Sequence, residues 1–265
     1  MAFNEVLKGL DEAASVQVAG VRRGYAGPPA RTVNMRAGMT RLRCASLLKP
    51  LYAWVSAARV GDAGRWRRHA EPAVVVSSNA DTLSLWHAVG PGVILRDLRD
   101  RTGVAWSPAN GDPSRFGSVE VAADEVAAAY AELAQAALAG DPAAEAVLGW
   151  MRQVGHGQAG EEQAFGVREA LGAPGAAVKC GWYGAADETC LRTHAVAVLA
   201  EGGTRVAVVV GMTALPFTGE RERASYRDSV NRGLPVDQEH ERTAGPVLRG
   251  LMAAALAELG AGETA

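Results

Sequence analysis

Lysine occurs only at Lys8, Lys49 and Lys179, while arginine supplies nearly all the remaining positive charge of the chain. Arginine does not usefully give up its proton, whereas a lysine withdrawn from water can become a neutral amine and act as a base. Lys49 follows Ser46 by three residues in "CASLLKPLYAW" and directly precedes Pro50. A hydroxyl is a poor nucleophile until a base takes its proton, and a lysine of depressed pKa one helical turn away can do so. Backbone N–H groups at the start of that helix would favour developing negative charge. Plainer roles stand beside this one: a helix cap for Ser46, surface charge for Lys49 and Lys179, a turn at Ser77 to Asn79 and core packing for Trp182.

The pairing requires Ser46 and Lys49 to share one helix start. Pro50 is tolerated only in a first turn, so a helix is expected from near Ser46, burying Leu47, Leu48, Leu51, Trp54 and Val55 and ending at Gly61. Upstream, Phe3, Val6, Leu7 and Leu10 share a helical face, "VQVAGVRR" reads as a strand, "YAGPPAR" as a turn and "TVNMR" as a returning strand. Downstream, "EPAVVVSSNADTLSLWHAVG" is an apolar run, a polar break at Ser77 to Asn79 and a helical remainder, and "WSPANGDPSRFG" reads as loop. A helix is expected from about Ala123 to Ala139, with Val126, Ala129, Tyr130 and Leu133 as its apolar stripe, and another through "PAAEAVLGWMRQV".

The final third has period two. "GAAVKCGWYG", "THAVAVLAEGG" and "TRVAVVVGMTAL" read as three strands, the last two joined as a hairpin, before a terminal helix over "VLRGLMAAALAELGAG". No regular βαβ alternation is present, so the two opening strands most simply join the last three in one antiparallel sheet. The expectation is an α/β protein forming a single unit. Residues 1–45 and 175–265 would make its α/β part and residues 46–174 a mainly helical insertion.

With 265 residues, 48% hydrophobic and 21% charged, the chain can bury a full core. A net charge of -2 gives no general electrostatic reason to expect nucleic acid or anionic lipid as a partner. The clusters "RAGMTRLR" and "RWRRH" are local and read as solvated surface. Asn4, Glu5, Asp11 and Glu12 interrupt the first apolar residues, so neither a signal peptide nor a membrane span is expected, and the protein is assigned to the cytoplasm. Cys44, Cys180 and Cys190 lack paired spacing, and no two histidines have metal-ligand spacing, so neither disulfide, metal nor cofactor is expected. His156, in a glycine-rich loop, is a base in reserve.

Three short motifs in order resemble those of the serine β-lactamase and penicillin-binding-protein superfamily, particularly its class A-like branch. Ser46-Leu47-Leu48-Lys49 resembles Ser-x-x-Lys, Ser77-Ser78-Asn79 resembles Ser-Asp-Asn, and Lys179-Cys180-Gly181 resembles Lys-Thr-Gly on an edge strand. "SVEVAADEVAAAYAEL" is similar to the helical segment that follows the family's mobile loop. The resemblance implies a β-lactamase/transpeptidase-like fold. It also implies Ser46 as the acylated nucleophile, Lys49 as its base and Ser77 as a proton relay. Asn79 would hold a substrate amide and Lys179 would meet a substrate carboxylate. Cys180 would stand where a threonine helps to hold that carboxylate, Gly181 would keep the strand clear, and the Ser46 and Trp182 amides would form the oxyanion hole.

The departures shape the expected activity. The segment "GPGVILRDLRDRTGVAWSPANGDPSRFG", expected to carry the class A loop, contains no glutamate to activate a deacylating water; Asp97, Asp100 and Asp112 are the acids available there. Cys180 offers a poorer hydrogen-bonding group than threonine. Between Lys49 and Ser77 the chain is shorter than is usual in the family. These features imply a serine hydrolase acting through an acyl-enzyme on a small ester or amide, with β-lactamase activity weak at most. The alternatives are a non-hydrolytic binding protein or acyltransferase of the same superfamily, or an interaction scaffold using "RWRRH" and the terminal helix.

Overall fold

The computed structural model describes residues 3–25, 27, 29–155, 163–186 and 188–260. A short helix α1 (Phe3–Leu7) precedes strands β1 (Ser15–Gly24) and β2 (Pro29–Ala37). The two-residue strand β3 (Leu42–Arg43) leads to helices α2 (Lys49–Val60), α3 (Ala63–Val75), α4 (Asn79–Val89) and α5 (Pro91–Thr102). Strands β4 (Ser107–Pro108) and β5 (Val119–Val121) flank single turns at Ala109–Gly111 and Phe116–Ser118. Helices α6 (Ala123–Leu138), α7 (Pro142–Gln153) and α8 (Val167–Ala170) follow, then β6 (Ala177–Trp182), β7 (Cys190–Glu201), β8 (Arg205–Pro216), α9 (Glu220–Asn231) and α10 (Asp237–Gly260).

The main sheet has the order β2-β1-β8-β7-β6 and is antiparallel throughout. The opening strands do join the last three, and β6 is left on an edge. Both faces are covered, which is why β7 and β8 read as almost unbroken apolar runs. Val196, Val198, Val208 and Val210 belong to a core with Val126, Tyr130 and Leu133 of α6. The alternate residues Ala195, Ala197 and Val209 pack with Leu248, Leu251 and Met252 of α10. The apolar face of α10 is therefore occupied by the sheet, which removes it as a free interaction surface. Arg65, Arg67 and Arg68 of "RWRRH" are exposed, whereas Trp66 between them is buried and donates from its indole to Ala53 O at 2.8 Å.

Several elements depart from the expected ones. The helix carrying Lys49 begins at Lys49 rather than at Ser46, because Ala45 to Leu48 form a separate turn. The segment read as the mobile loop contains the whole of α5, whose apolar residues Ile94 and Leu98 are buried under a charged outer face. A small sheet of order β3-β5-β4 joins Leu42–Arg43 to two short strands of the mainly helical stretch and has too few residues to show a period. Helix α9 was not expected because "ERERASYRDSVN" buries only Tyr226. Helix α10 starts at Asp237 and continues through Pro246, ahead of the apolar run that marked it in the sequence.

Candidate active site

Ser46 sits in the turn between β3 and α2, held from one side by the segment that leads into β5. Cys44 N donates to Val119 O at 2.8 Å and Ala45 N to Gly117 O at 2.9 Å. Ala45 then adopts a left-handed backbone (φ 50°), a conformation that costs an L-residue roughly 1–2 kcal/mol and turns the chain sharply at the nucleophile. Leu47 N returns to Cys44 O at 3.0 Å, and the Tyr130 hydroxyl donates to Leu47 O at 2.6 Å. Among the described residues, Ser46 N has no backbone acceptor.

Strand β6 passes directly over this turn. A Cβ at position 181 would lie 2.7 Å from Ser46 N and 2.8 Å from Leu47 N, so the crossing requires glycine. Tyr183 N donates to Arg192 O at 3.1 Å, and the register pairs Gly181 with His194 and Trp182 with Thr193. Successive N–H groups of an antiparallel edge strand point alternately toward and away from the partner strand. The Trp182 N–H therefore points away from β7, on the free edge. Together with Ser46 N it makes two donors outside the sheet ladder, the arrangement an oxyanion hole needs.

The two singular lysines meet at Ser77. Lys49 is 1% exposed, and its Nζ donates to Ser77 O at 2.5 Å and Asn79 Oδ1 at 2.7 Å and lies 3.2 Å from Ser77 Oγ. Lys179 is fully buried, with Nζ 2.9 Å from Ser77 Oγ and 3.0 Å from Cys180 O. Burial, reinforced by the positive Lys179 nearby, holds the Lys49 amine well below the ordinary lysine value. Burial also lowers Lys179, to about 8. Both shifts favour the neutral amine relative to a lysine in water. Lys179 donates to the Ser77 hydroxyl, which leaves that hydroxyl its own proton to donate.

Ser77 itself has φ 54°, just after α3 ends. The turn is fixed by Ser78 N and Val76 N, which donate to Pro72 O at 3.0 and 3.3 Å. Ser78 then caps α4, accepting from Asp81 N at 3.2 Å, which leaves Asn79 exposed at the helix start with its side chain on Lys49.

A cavity of about 700 Å³ opens on these groups; Ser46, Ser77, Asn79 and Trp182 line it, opposite Ser114, Arg115 and Phe116. The wall is pinned where Tyr52 OH donates to Phe116 O at 3.0 Å and Trp86 Nε1 to Pro113 O at 2.8 Å. The Phe116 ring lies 5.2 Å from Lys49 Nζ. Among the described residues, the lining contains no carboxylate and no imidazole.

The structure brings Ser46, Lys49, Ser77, Asn79, Lys179, Gly181 and Trp182 together. It does not bring Cys180 to the cavity. Alternation along β6 sends that thiol to the opposite face, fully buried beside Val178 in the α10 core. Lys179, expected to meet a substrate carboxylate, lies instead beneath Ser77, on the inner face that the same alternation gives it.

Among the acids weighed as replacements, Asp97 is paired with Arg59 at 2.7 Å on α5, Asp100 with Arg99 at 3.0 Å, and Asp112 caps Ser114 N at 2.9 Å. None of the three lines the cavity. His156 lies outside the described residues. Sequence reasoning missed Phe116, Gln163 and the turn 233–236 as parts of the wall, because each belongs to a stretch without period or motif. No disulfide joins any of the three cysteines, and burial pushes the thiol of Cys44, beside the nucleophile turn, up to about 12. No helix among the described residues is long and apolar enough to cross a membrane.

No protein-family model matches the chain, and no curated protein sequence matches it significantly. Solved structures do. A β-lactamase from Burkholderia vietnamiensis superposes with a TM-score of 0.60 at 16% identity, covering 98% of this chain and 96% of that one. A class A β-lactamase from Mycobacterium abscessus gives 0.60 at 13% identity, covering 97% and 98%. A putative class A β-lactamase from Rhodopseudomonas palustris gives 0.56 at 16% identity, covering 97% of each chain. With the match running the length of both partners and the sheet order and flanking helices described above, the chain has the fold of the class A β-lactamases.

Proposed function

We propose that the protein is a serine acyl hydrolase acting through an acyl-enzyme on small esters or amides. The observation that carries this reading is the buried Lys49 amine, shifted toward its neutral form by burial and by Lys179, at the start of the helix that follows the turn of Ser46, whose backbone amide has no backbone acceptor among the described residues. Neutral Lys49 takes the proton from Ser46 Oγ as that oxygen bonds to the substrate carbonyl carbon, and the Ser46 and Trp182 amides hold the oxyanion. Collapse of the tetrahedral species breaks the bond to the leaving group, which takes a proton from Ser77 Oγ. Ser77 regains its proton from Lys49, whose Nζ is 3.2 Å away. Water then hydrolyses the Ser46 ester and restores the resting state. Asn79 orients Lys49 and faces the substrate.

The absence of a carboxylate or imidazole among the described lining residues favours deacylation as the slow step. It also supports a second reading, an acyltransferase or acyl-binding protein in which water is a poor acceptor. Rapid mixing with p-nitrophenyl acetate is expected to release about one equivalent of nitrophenolate per chain in a burst, followed by a slower steady phase, and Ser46→Ala is expected to show neither. A burst without a steady phase supports the second reading, whereas unchanged hydrolysis by Ser46→Ala contradicts both.

A further inference from the structure

The cavity has two unlike ends. Beyond Trp182 the chain continues through Tyr183 and Gly184, and the turn between α9 and α10 closes against it: a Cβ at 184 would meet Val236 Cγ2 at 3.5 Å and the Tyr226 hydroxyl at 3.8 Å. This closure is built in. His240, buried between Thr193 Oγ1 at 2.7 Å and Tyr226 OH at 2.9 Å, ties α9 and α10 to β7, and Tyr226 OH also donates to Tyr183 O at 3.2 Å. Val230, Leu234, Pro235 and Val236 supply the lining there, and Leu234 is 44% exposed although it is a large apolar side chain.

Charge is nearly absent from the wall. Among the described lining residues Arg115 alone is charged; it is exposed and already engaged in another interaction. Lys179 is fully buried and absent from the lining; its amine meets the cavity only through Ser77 Oγ at 2.9 Å. Gln163, 2% exposed, lines the same cavity with an Oε1 that has no hydrogen-bond partner, an acceptor that an N–H or O–H of a ligand would complete.

We propose that the end formed by Trp182, Val230, Leu234 and Val236 is a subsite for an apolar acyl chain, so that the preferred substrates are uncharged esters or amides of medium-length alkyl acids rather than carboxylate-bearing ones. The proposal rests on Ser46 being the acylated residue, since β6 then leads from the nucleophile straight to the apolar turn. A chain that remains within such a wall gains about fourfold in kcat/KM per methylene. Reaction releases the alkyl acid and the alcohol or amine, with water as the only co-reactant.

The test measures kcat/KM for p-nitrophenyl acetate, butyrate, hexanoate and octanoate and for the hemisuccinate as a charged comparator. The octanoate-to-acetate ratio is expected to exceed about 10² in the wild type, to fall at least tenfold in Leu234→Asp, and the hemisuccinate is expected to be slower than the butyrate. A flat chain-length series, an unchanged ratio in Leu234→Asp or a faster hemisuccinate overturns the subsite. A separate arm uses Ser46→Ala and needs no chemistry: tryptophan fluorescence titrated with octanamide and with acetamide. Tighter binding of octanamide, weakened by adding Leu234→Asp, upholds the subsite even if no ester acylates the wild type. Equal binding overturns the subsite even if Ser46 is acylated.

Discussion

Lys49→Met is expected to slow acylation of Ser46 by about 10² to 10⁴-fold, the usual worth of positioned proton transfer. Methionine fills nearly the same buried volume with no base, and the charge of Lys179 next door is untouched. The role of the amine is separable from packing by its pH dependence. A base must be deprotonated to act, so the wild-type acylation rate should rise with pH through a pKa well below the ordinary lysine value and then level off, because burial and Lys179 disfavour the charged form. That titration should be absent from Lys49→Met. Stopped-flow release of p-nitrophenolate gives both quantities. Equal rates in the two proteins, or a wild-type rate still climbing through the ordinary lysine range, would remove Lys49 from the mechanism.

Gly181→Ala should be nearly as damaging, although it adds one methyl group and no charge. That methyl would stand 2.7 Å from Ser46 N and 2.8 Å from Leu47 N, both backbone atoms, so either β6 or the nucleophile turn must move. Displacing the Ser46 and Trp182 amides by a fraction of an ångström from the developing oxyanion is expected to cost about 10²-fold or more in acylation. The overpacking should lower stability by about 1–3 kcal/mol. Because β6 lies on the sheet edge, the rest of the sheet can keep its register, and circular dichroism should report a folded protein with a lowered Tm. Wild-type acylation by Gly181→Ala would mean that the two amides do not form the oxyanion site.

What the sequence disclosed follows the strength of its periods. The five sheet strands and α6 were legible because Val196, Val198, Val208 and Val210 alternate with residues of the opposite core and because Val126, Tyr130 and Leu133 repeat at helical spacing. The candidate site was legible through a compositional oddity, since two of three lysines converge on one serine while Lys8 pairs with Glu5 on the surface. The depths at which Cys180 and Lys179 sit were not legible from motif alone. Along β6 the side chains alternate between core and site, and the motif says nothing of depth: Cys180 turns to the α10 core, and Lys179 stops at Ser77. Helix α9 was hidden because it rests on one buried tyrosine. With it went the apolar end of the cavity.

The most direct measurement is mass-spectrometric mapping of the adduct left by p-nitrophenyl acetate at neutral pH. Three thiols and three lysines compete with Ser46 for the acyl group, so the location of the adduct is informative in itself. Burial disfavours the thiolates of Cys44 and Cys190. One acetyl group is expected per chain, on the peptide containing Ser46, formed rapidly in the wild type and missing from Ser46→Ala. An acetyl group on a cysteine or lysine at the same rate in both proteins, with Ser46 unmodified, would contradict the account.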